Sequence, residues 1–214
     1  MPRPAGIVAW CMLALLVARP ASGQAQPLDA VWVAYRCTER GRCIKGTAFH
    51  VGDGVFYTNA HVARRTNGYE PLRLARGEPR QDLGTAEVVC INDRASRTEM
   101  ATPYDVAKVR VAAARARRLP ALKFSRWGPN TNMAIRVIGF PGDRWLPVAA
   151  EGVITELLED QVFAFEVTHG RVTRGSSGSP VLTTRGEVIG MVYAEGSGLL
   201  FATAVNWLLD ATCR

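Results

Sequence analysis

Along this chain the apolar runs are short and turn-forming residues separate them, a punctuation that suits many short strands better than long helices. Ala30 to Arg36 reads as a first strand and Lys45 to Val51 as a second, with a polar loop between them. Asp53-Gly54 is a tight-turn dipeptide leading into a third, Val55 to Thr58. Residues Arg64 to Gln81 are polar and broken by Gly68, Pro71, Gly77 and Pro79, so they read as a long exposed loop holding at most one short strand. Thr85 to Ile91 and Val106 to Val111 complete the first set.

An Ala/Arg-rich stretch follows, and residues 113–124 are the linker candidate. The second set of strands runs Met133 to Ile138, Val148 to Thr155, Val162 to Val167, Val181 to Thr184, Val188 to Tyr193 and Leu199 to Ala204. Only Asn206 to Thr212 looks helical, with Asn206 as its N-cap. The expected fold is all-β: two six-stranded antiparallel β-barrels, residues 24–112 and 125–214, with a short C-terminal helix and a site in the crevice between them.

Composition changes this picture at the N-terminus. Arg3, the apolar stretch Ile7 to Val17 and the small residues Ala21-Ser22-Gly23 read as an export signal spanning residues 1–23. The mature protein is then expected to be soluble in the periplasm or outside the cell. The apolar stretch is short for a membrane span, and no later segment is apolar enough to cross a bilayer.

Cys11 leaves with the signal, and Cys37, Cys43, Cys90 and Cys213 remain, an even number in a chain entering an oxidising compartment. Three pairings are possible. Cys37–Cys43, closing the loop between the first two strands, and Cys90–Cys213 are favoured. A zinc site is not expected, because there is no C-x-x-C pair and no closely spaced histidine.

The formal charge of +7 falls to +5 when Arg3 and Arg19 are removed. The arginines are not interleaved with aromatics, so a solvated basic face is expected and nucleic acid is not.

Candidate chemistry gathers at Gly175-Ser176-Ser177-Gly178-Ser179-Pro180. Glycines flanking a serine pair let the backbone turn sharply and leave a hydroxyl and amide N–H groups unshielded, as a nucleophile beside an oxyanion site requires. Hydrolysis by serine also needs a base and a carboxylate that fixes the base's tautomer. His50 falls inside a strand, where a packed histidine is the ordinary reading, and His169 lies in the loop before the serine, lining the pocket or exposed. His61 stands at the end of a strand and Asp105 at the entry to another.

Four blocks then carry a resemblance: Gly46-Thr47-Ala48-Phe49, Thr58-Asn59-Ala60-His61-Val62, Asp105-Val106-Ala107-Lys108-Val109 and Gly175-Ser176-Ser177-Gly178-Ser179-Pro180-Val181. In this order the chain resembles the chymotrypsin/trypsin-like serine proteases, and within them the HtrA-like bacterial peptidases, over roughly Val31 to Leu209. The resemblance implies Ser177 as nucleophile, His61 as general base and Asp105 as the carboxylate orienting it. It also implies an oxyanion hole from the N–H groups of Gly175 and Ser177, polypeptide substrates, and no cofactor or metal. Tyr193-Ala194-Glu195-Gly196 looks like the strand edge that receives the peptide.

Two departures stand out. Ser176 occupies the position where trypsin-type zymogens carry an aspartate, and no Ile-Val activation site follows the signal, so the enzyme is expected to be active once folded or ordered by substrate. The chain ends at Arg214, so the PDZ domains usual in HtrA-like proteins are not expected. Six residues before Ser177 stands Arg171, a candidate pocket floor that would favour an acidic side chain; a small-to-medium apolar pocket is the alternative. Two other functions remain open on sequence: a catalytically silent protease-like protein binding an anionic partner, and an acyl hydrolase. The G-x-S-x-G order of the latter is missing around Ser177.

Overall fold

The run Val31-Trp32-Val33-Ala34-Tyr35 is apolar throughout because the strand it forms is covered on both faces. The computed structural model describes residues 26–92, 104–158, 162–196 and 198–210. On β1 (Val31–Cys37), Val31, Val33 and Tyr35 pack into a cluster shared with the second half of the chain, whereas Trp32 and Ala34 pack inside the curl of their own sheet. The two-residue period of a strand makes this division. In β2 (Cys43–Gly52) Phe49 joins the shared cluster and Ala48 the inner one, and in β3 (Val55–Thr58) Tyr57 and Phe56 do the same.

With β4 (Arg73–Arg76), β5 (Gln81–Thr85), β6 (Glu87–Ile91) and β7 (Ala107–Arg110) these strands form a seven-stranded sheet in the order β5-β4-β1-β2-β3-β7-β6. The expected strand over Thr85 to Ile91 is thus the end of β5 plus β6. Only Ala86 parts them, and its N–H donates to Leu72 O at 2.8 Å. The two edges of the sheet are therefore one bent strand, and the sheet curls into a half-barrel.

The second half is a closed barrel. Strands β8 (Ala134–Gly139), β9 (Val148–Leu158), β10 (Val162–His169), β11 (Pro180–Thr183), β12 (Val188–Gly196) and β13 (Leu199–Ala204) follow the order β10-β13-β12-β11-β8-β9. Ile135, Val137, Ile154, Phe163, Phe165 and Ile189 fill its interior. Between the sheets Phe49 stacks on Tyr57 at 5.8 Å, and Phe140, Val188 and Met191 close over them. Each such buried side chain contributes about 1.5–3 kcal/mol, which makes the seam a rigid platform. Burial there pushes the Tyr57 phenol up to about 12.

A 3₁₀ helix, Pro27–Ala30, and three short α-helices complete the described chain: α1 (Ala60–Ala63), α2 (Ala113–Ala116) and α3 (Val205–Asp210). α3 starts directly at the end of β13, so Asn206 lies inside it and is not its N-cap. Val205 and Leu208, both fully buried and one turn apart, anchor it. The segment after α2 is sewn to both sheets, Leu122 N–H donating to His50 O and Ser125 N–H to Val188 O. His50 is the packed histidine expected: its Nε2 accepts Gly54 N–H, so Nδ1 carries the proton and donates to Pro120 O.

Cys37 and Cys43 face each other across β1 and β2 and are joined. Cys90 is also disulfide-bonded. Cys213, its expected partner, lies outside the described residues, as do Cys11 and the expected export signal. No described helix is long and apolar enough to cross a membrane.

Candidate active site

β3 runs into α1, and the burial of Ala60, Val62 and Ala63 fixes that single helical turn. His61 is left facing the seam, its side chain 24% exposed. Asp105, 3% exposed, enters β7 alongside. One carboxylate oxygen accepts His61 N–H at 2.8 Å and the other lies 2.5 Å from His61 Nδ1. Asn59 Nδ2 donates to Asp105 O at 2.8 Å and fixes the backbone behind it. An ionised carboxylate only accepts, so Nδ1 carries the ring proton and Nε2 keeps its lone pair for another partner.

The serine turn comes from the other barrel and docks on β2. Thr47 N–H donates to Ser177 O at 2.7 Å, and Thr47 Oγ1 donates to Gly175 O at 2.9 Å. Gly178 sits at φ +87°, where a Cβ would lie 2.1 Å from Thr47 O. A Cβ on Gly46 would meet Val62 Cγ2 at 2.6 Å and Ser177 O at 3.0 Å. A bare glycine thus separates the residue next to His61 from the serine, which brings both to one seam. Ser177 Oγ itself has no hydrogen-bond partner among the described residues; in unliganded sites such contacts are often long.

The amides of this turn divide into two groups. Ser176 N–H donates to Thr173 O, Gly178 N–H to Val192 O and Ser179 N–H to Ser176 O. The N–H groups of Gly175 and Ser177 have no acceptor among the described residues. Ser176, 2% exposed, accepts Thr173 N–H on its hydroxyl at 3.3 Å. Ser176 thus places a hydroxyl, bonded within the turn, where a trypsin-type zymogen carries a carboxylate.

Beside Ser177 opens a pocket of about 170 Å³, walled by Val172, Thr173, Arg174, Val192, Tyr193, Ala194, Glu195 and Leu200. Val172, Val192 and Leu200 give it an apolar wall beside the polar side chains of Thr173, Arg174 and Glu195, and burial raises the Tyr193 phenol, which stays neutral. Arg174 and Glu195 are its exposed charges.

Residues 46–191, which hold all of these groups, match the family model described as a trypsin-like peptidase domain. The chain belongs to the trypsin-like peptidase family. It is by that membership a serine endopeptidase. Solved structures agree on the fold. The active form of the Rv3671c protease from M. tuberculosis superposes with a TM-score of 0.67 at 20% identity, covering 86% of this chain and 80% of that one. The serine endoprotease from Yersinia pestis gives 0.67 at 20%, over 86% of this chain and 61% of its own. The HtrA-type protease AlgW with tripeptide gives 0.64 at 19%, over 86% and 58%. A sequence search of curated proteins found no match.

In this trypsin-like peptidase, His61 and Asp105 are in direct contact and Ser177 shares their seam. Tyr193, Ala194 and Glu195 line the pocket. Arg171 is exposed and outside that lining, which begins one residue later at Val172, and His169 is exposed at the end of β10. Sequence reasoning gave no role to Thr47, Asn59, Val172, Val192 or Leu200. Thr47 and Asn59 stood in the quoted blocks and could have been found there. Leu200 carries no local signal, since barrel closure alone brings β13 under the serine turn.

Proposed function

We propose that the peptidase cleaves polypeptides through a Ser177-His61-Asp105 triad, and that it works after export, in the periplasm or outside the cell. His61 Nε2 takes the Ser177 Oγ proton as Oγ attacks the scissile carbonyl; the C–N bond breaks, the amine leaves with that proton, and water then hydrolyses the acyl-enzyme. Asp105 holds the ring in the required tautomer and stabilises the imidazolium. The free N–H groups of Gly175 and Ser177 receive the oxyanion. The peptide lies as an added strand along Tyr193 to Gly196.

The observation that carries this reading is the double contact of Asp105 with His61 opposite a serine turn whose two unused amides belong to Gly175 and Ser177. The hydroxyl-held turn at Ser176 supports activity on folding without a cut N-terminus. Val172, Val192 and Leu200 favour a small-to-medium aliphatic side chain before the cut, and Arg171 lies outside the described lining.

The test is labelling of the purified protein with a fluorophosphonate beside Ser177→Ala, followed by incubation of both with casein. Ser177-dependent labelling with cleavage is expected. Labelling without cleavage of any protein would point to a different acyl substrate, and absence of labelling would remove the triad assignment.

A further inference from the structure

The register of β1 puts Arg36 on the same face as Trp32 and Ala34, the inner face of the half-barrel, where a cation is expensive to keep. Arg36 is 4% exposed. One of its nitrogens is satisfied, Nη2 donating to Ala63 O. Nε is buried without an acceptor, and Nη1 has none among the described residues. No carboxylate of the described residues pairs with it. Leaving Nε buried without an acceptor is costly, and Nη1, which is not among the buried unpartnered atoms, is placed to meet an anion. Burial, together with the nearby charge of Arg65, accordingly depresses the guanidinium's pKa.

Arg36 also lines a cavity of about 340 Å³ at the mouth of the half-barrel. Arg65, Tyr69, Glu70, Pro71, Leu72, Ala86 and Val88 line it as well. This volume lies at the small end of ligand pockets. The charged Nη1 group, with the Arg65 guanidinium lining the same cavity, suits a carboxylate or a phosphate. Glu70 discriminates between them, since its negative charge repels a dianion more than a monoanion. The four apolar residues require that the anion carry a hydrocarbon group.

We propose that this cleft, separate from the serine turn, binds a monoanionic carboxylate joined to a small aliphatic group, with Arg36 and Arg65 as its cationic partners. Two sources supply that chemistry: the C-terminus of a peptide ending in an aliphatic residue, and a free short-chain aliphatic acid.

The experiment uses the Ser177→Ala chain, so that neither cleavage nor the triad assignment enters. Its thermal midpoint is followed with hexanoate, hexanamide, N-acetyl-Ala-Leu as free acid and as amide, and inorganic phosphate, since a ligand that binds only the folded state raises the midpoint. At least one free acid is expected to raise it while its amide does not; which one does so identifies the source. Arg36→Met should weaken that acid about 10-fold or more, as loss of charge-assisted hydrogen bonds implies. Arg65→Ala, an exposed position that leaves the fold intact, should weaken it measurably as well, so the result does not hang on how Arg36→Met folds. Amides as effective as acids, binding that survives the arginine variant that folds, phosphate acting alone, or no shift with any probe would each overturn the proposal.

Discussion

Asp105 holds His61 twice, through the ring at 2.5 Å and through the backbone N–H at 2.8 Å, so ring orientation and helix position are set by one carboxylate. Asp105→Asn separates the two functions. The amide oxygen can still accept the backbone N–H, but the NH₂ then faces Nδ1 and forces the proton to Nε2, the wrong tautomer. Turnover should fall about 10⁴-fold, while fluorophosphonate labelling slows in parallel and the thermal midpoint changes little. Comparable turnover in the variant would sink the assignment of Asp105.

The serine turn depends on Thr47, a residue of the opposite sheet. Its buried hydroxyl donates to Gly175 O, the carbonyl of a residue whose own N–H is free for the oxyanion. Thr47→Val keeps the shape and removes the donor. Stability should drop by about 1–3 kcal/mol, the cost of a buried acceptor left unpaired, as read from urea unfolding. If the turn is what Thr47 positions, kcat should fall more than KM rises; a loss of stability with kcat unchanged would confine Thr47 to a structural role.

How much of this was legible beforehand follows from what is local. The apolar run Val31 to Tyr35, the turn at Asp53-Gly54 and the glycines around Ser177 are properties of consecutive residues, and the strands and the serine turn could be read from them. β4 is the one short strand allowed within Arg64 to Gln81, but its bounds and the β5/β6 bend were not legible, because they depend on pairings across the sheet: Arg73 with Thr85, and Ala86 N–H with Leu72 O. Arg171, six residues before Ser177, adjoins Val172, where the described lining begins; which side chain enters the pocket depends on loop length, which spacing from the serine does not fix. The burial of Arg36, at the end of the first strand, follows from the curl of the sheet and has no local signal.

The Arg73–Asp82 pair gives a pH prediction. Burial pushes the Asp82 carboxyl up, but hydrogen bonds from Arg73 and Gly84 N–H outweigh it and hold the carboxyl below its ordinary value. A depressed carboxylate stabilises the fold above its unfolded value of 3.8, and that contribution is lost as pH falls through the lower folded value. Both partners are roughly one-third exposed, so the effect should stay below about 1 kcal/mol. Asp82→Asn should be the less stable protein at pH 7 and match the parent at about pH 2–3. A difference that persists there would mean that Asp82 acts by packing, not charge.

Leu200 extends from β13 toward the same space as Val172 and Val192, and together they leave about 170 Å³. With casein as substrate, cuts should follow aliphatic residues such as valine and leucine and avoid arginine and phenylalanine. Leu200→Ala deepens the pocket, so cleavage after phenylalanine should rise relative to valine. One or two buried methylenes are worth about 1–3 kcal/mol, or a 10- to 200-fold change in kcat/KM ratio. Arg171→Ala, by contrast, should leave the cut-site profile as it is, because its side chain is exposed and outside the lining. If the Arg171 variant loses a preference for acidic residues instead, that loop reaches the pocket in the working enzyme and the aliphatic assignment is wrong.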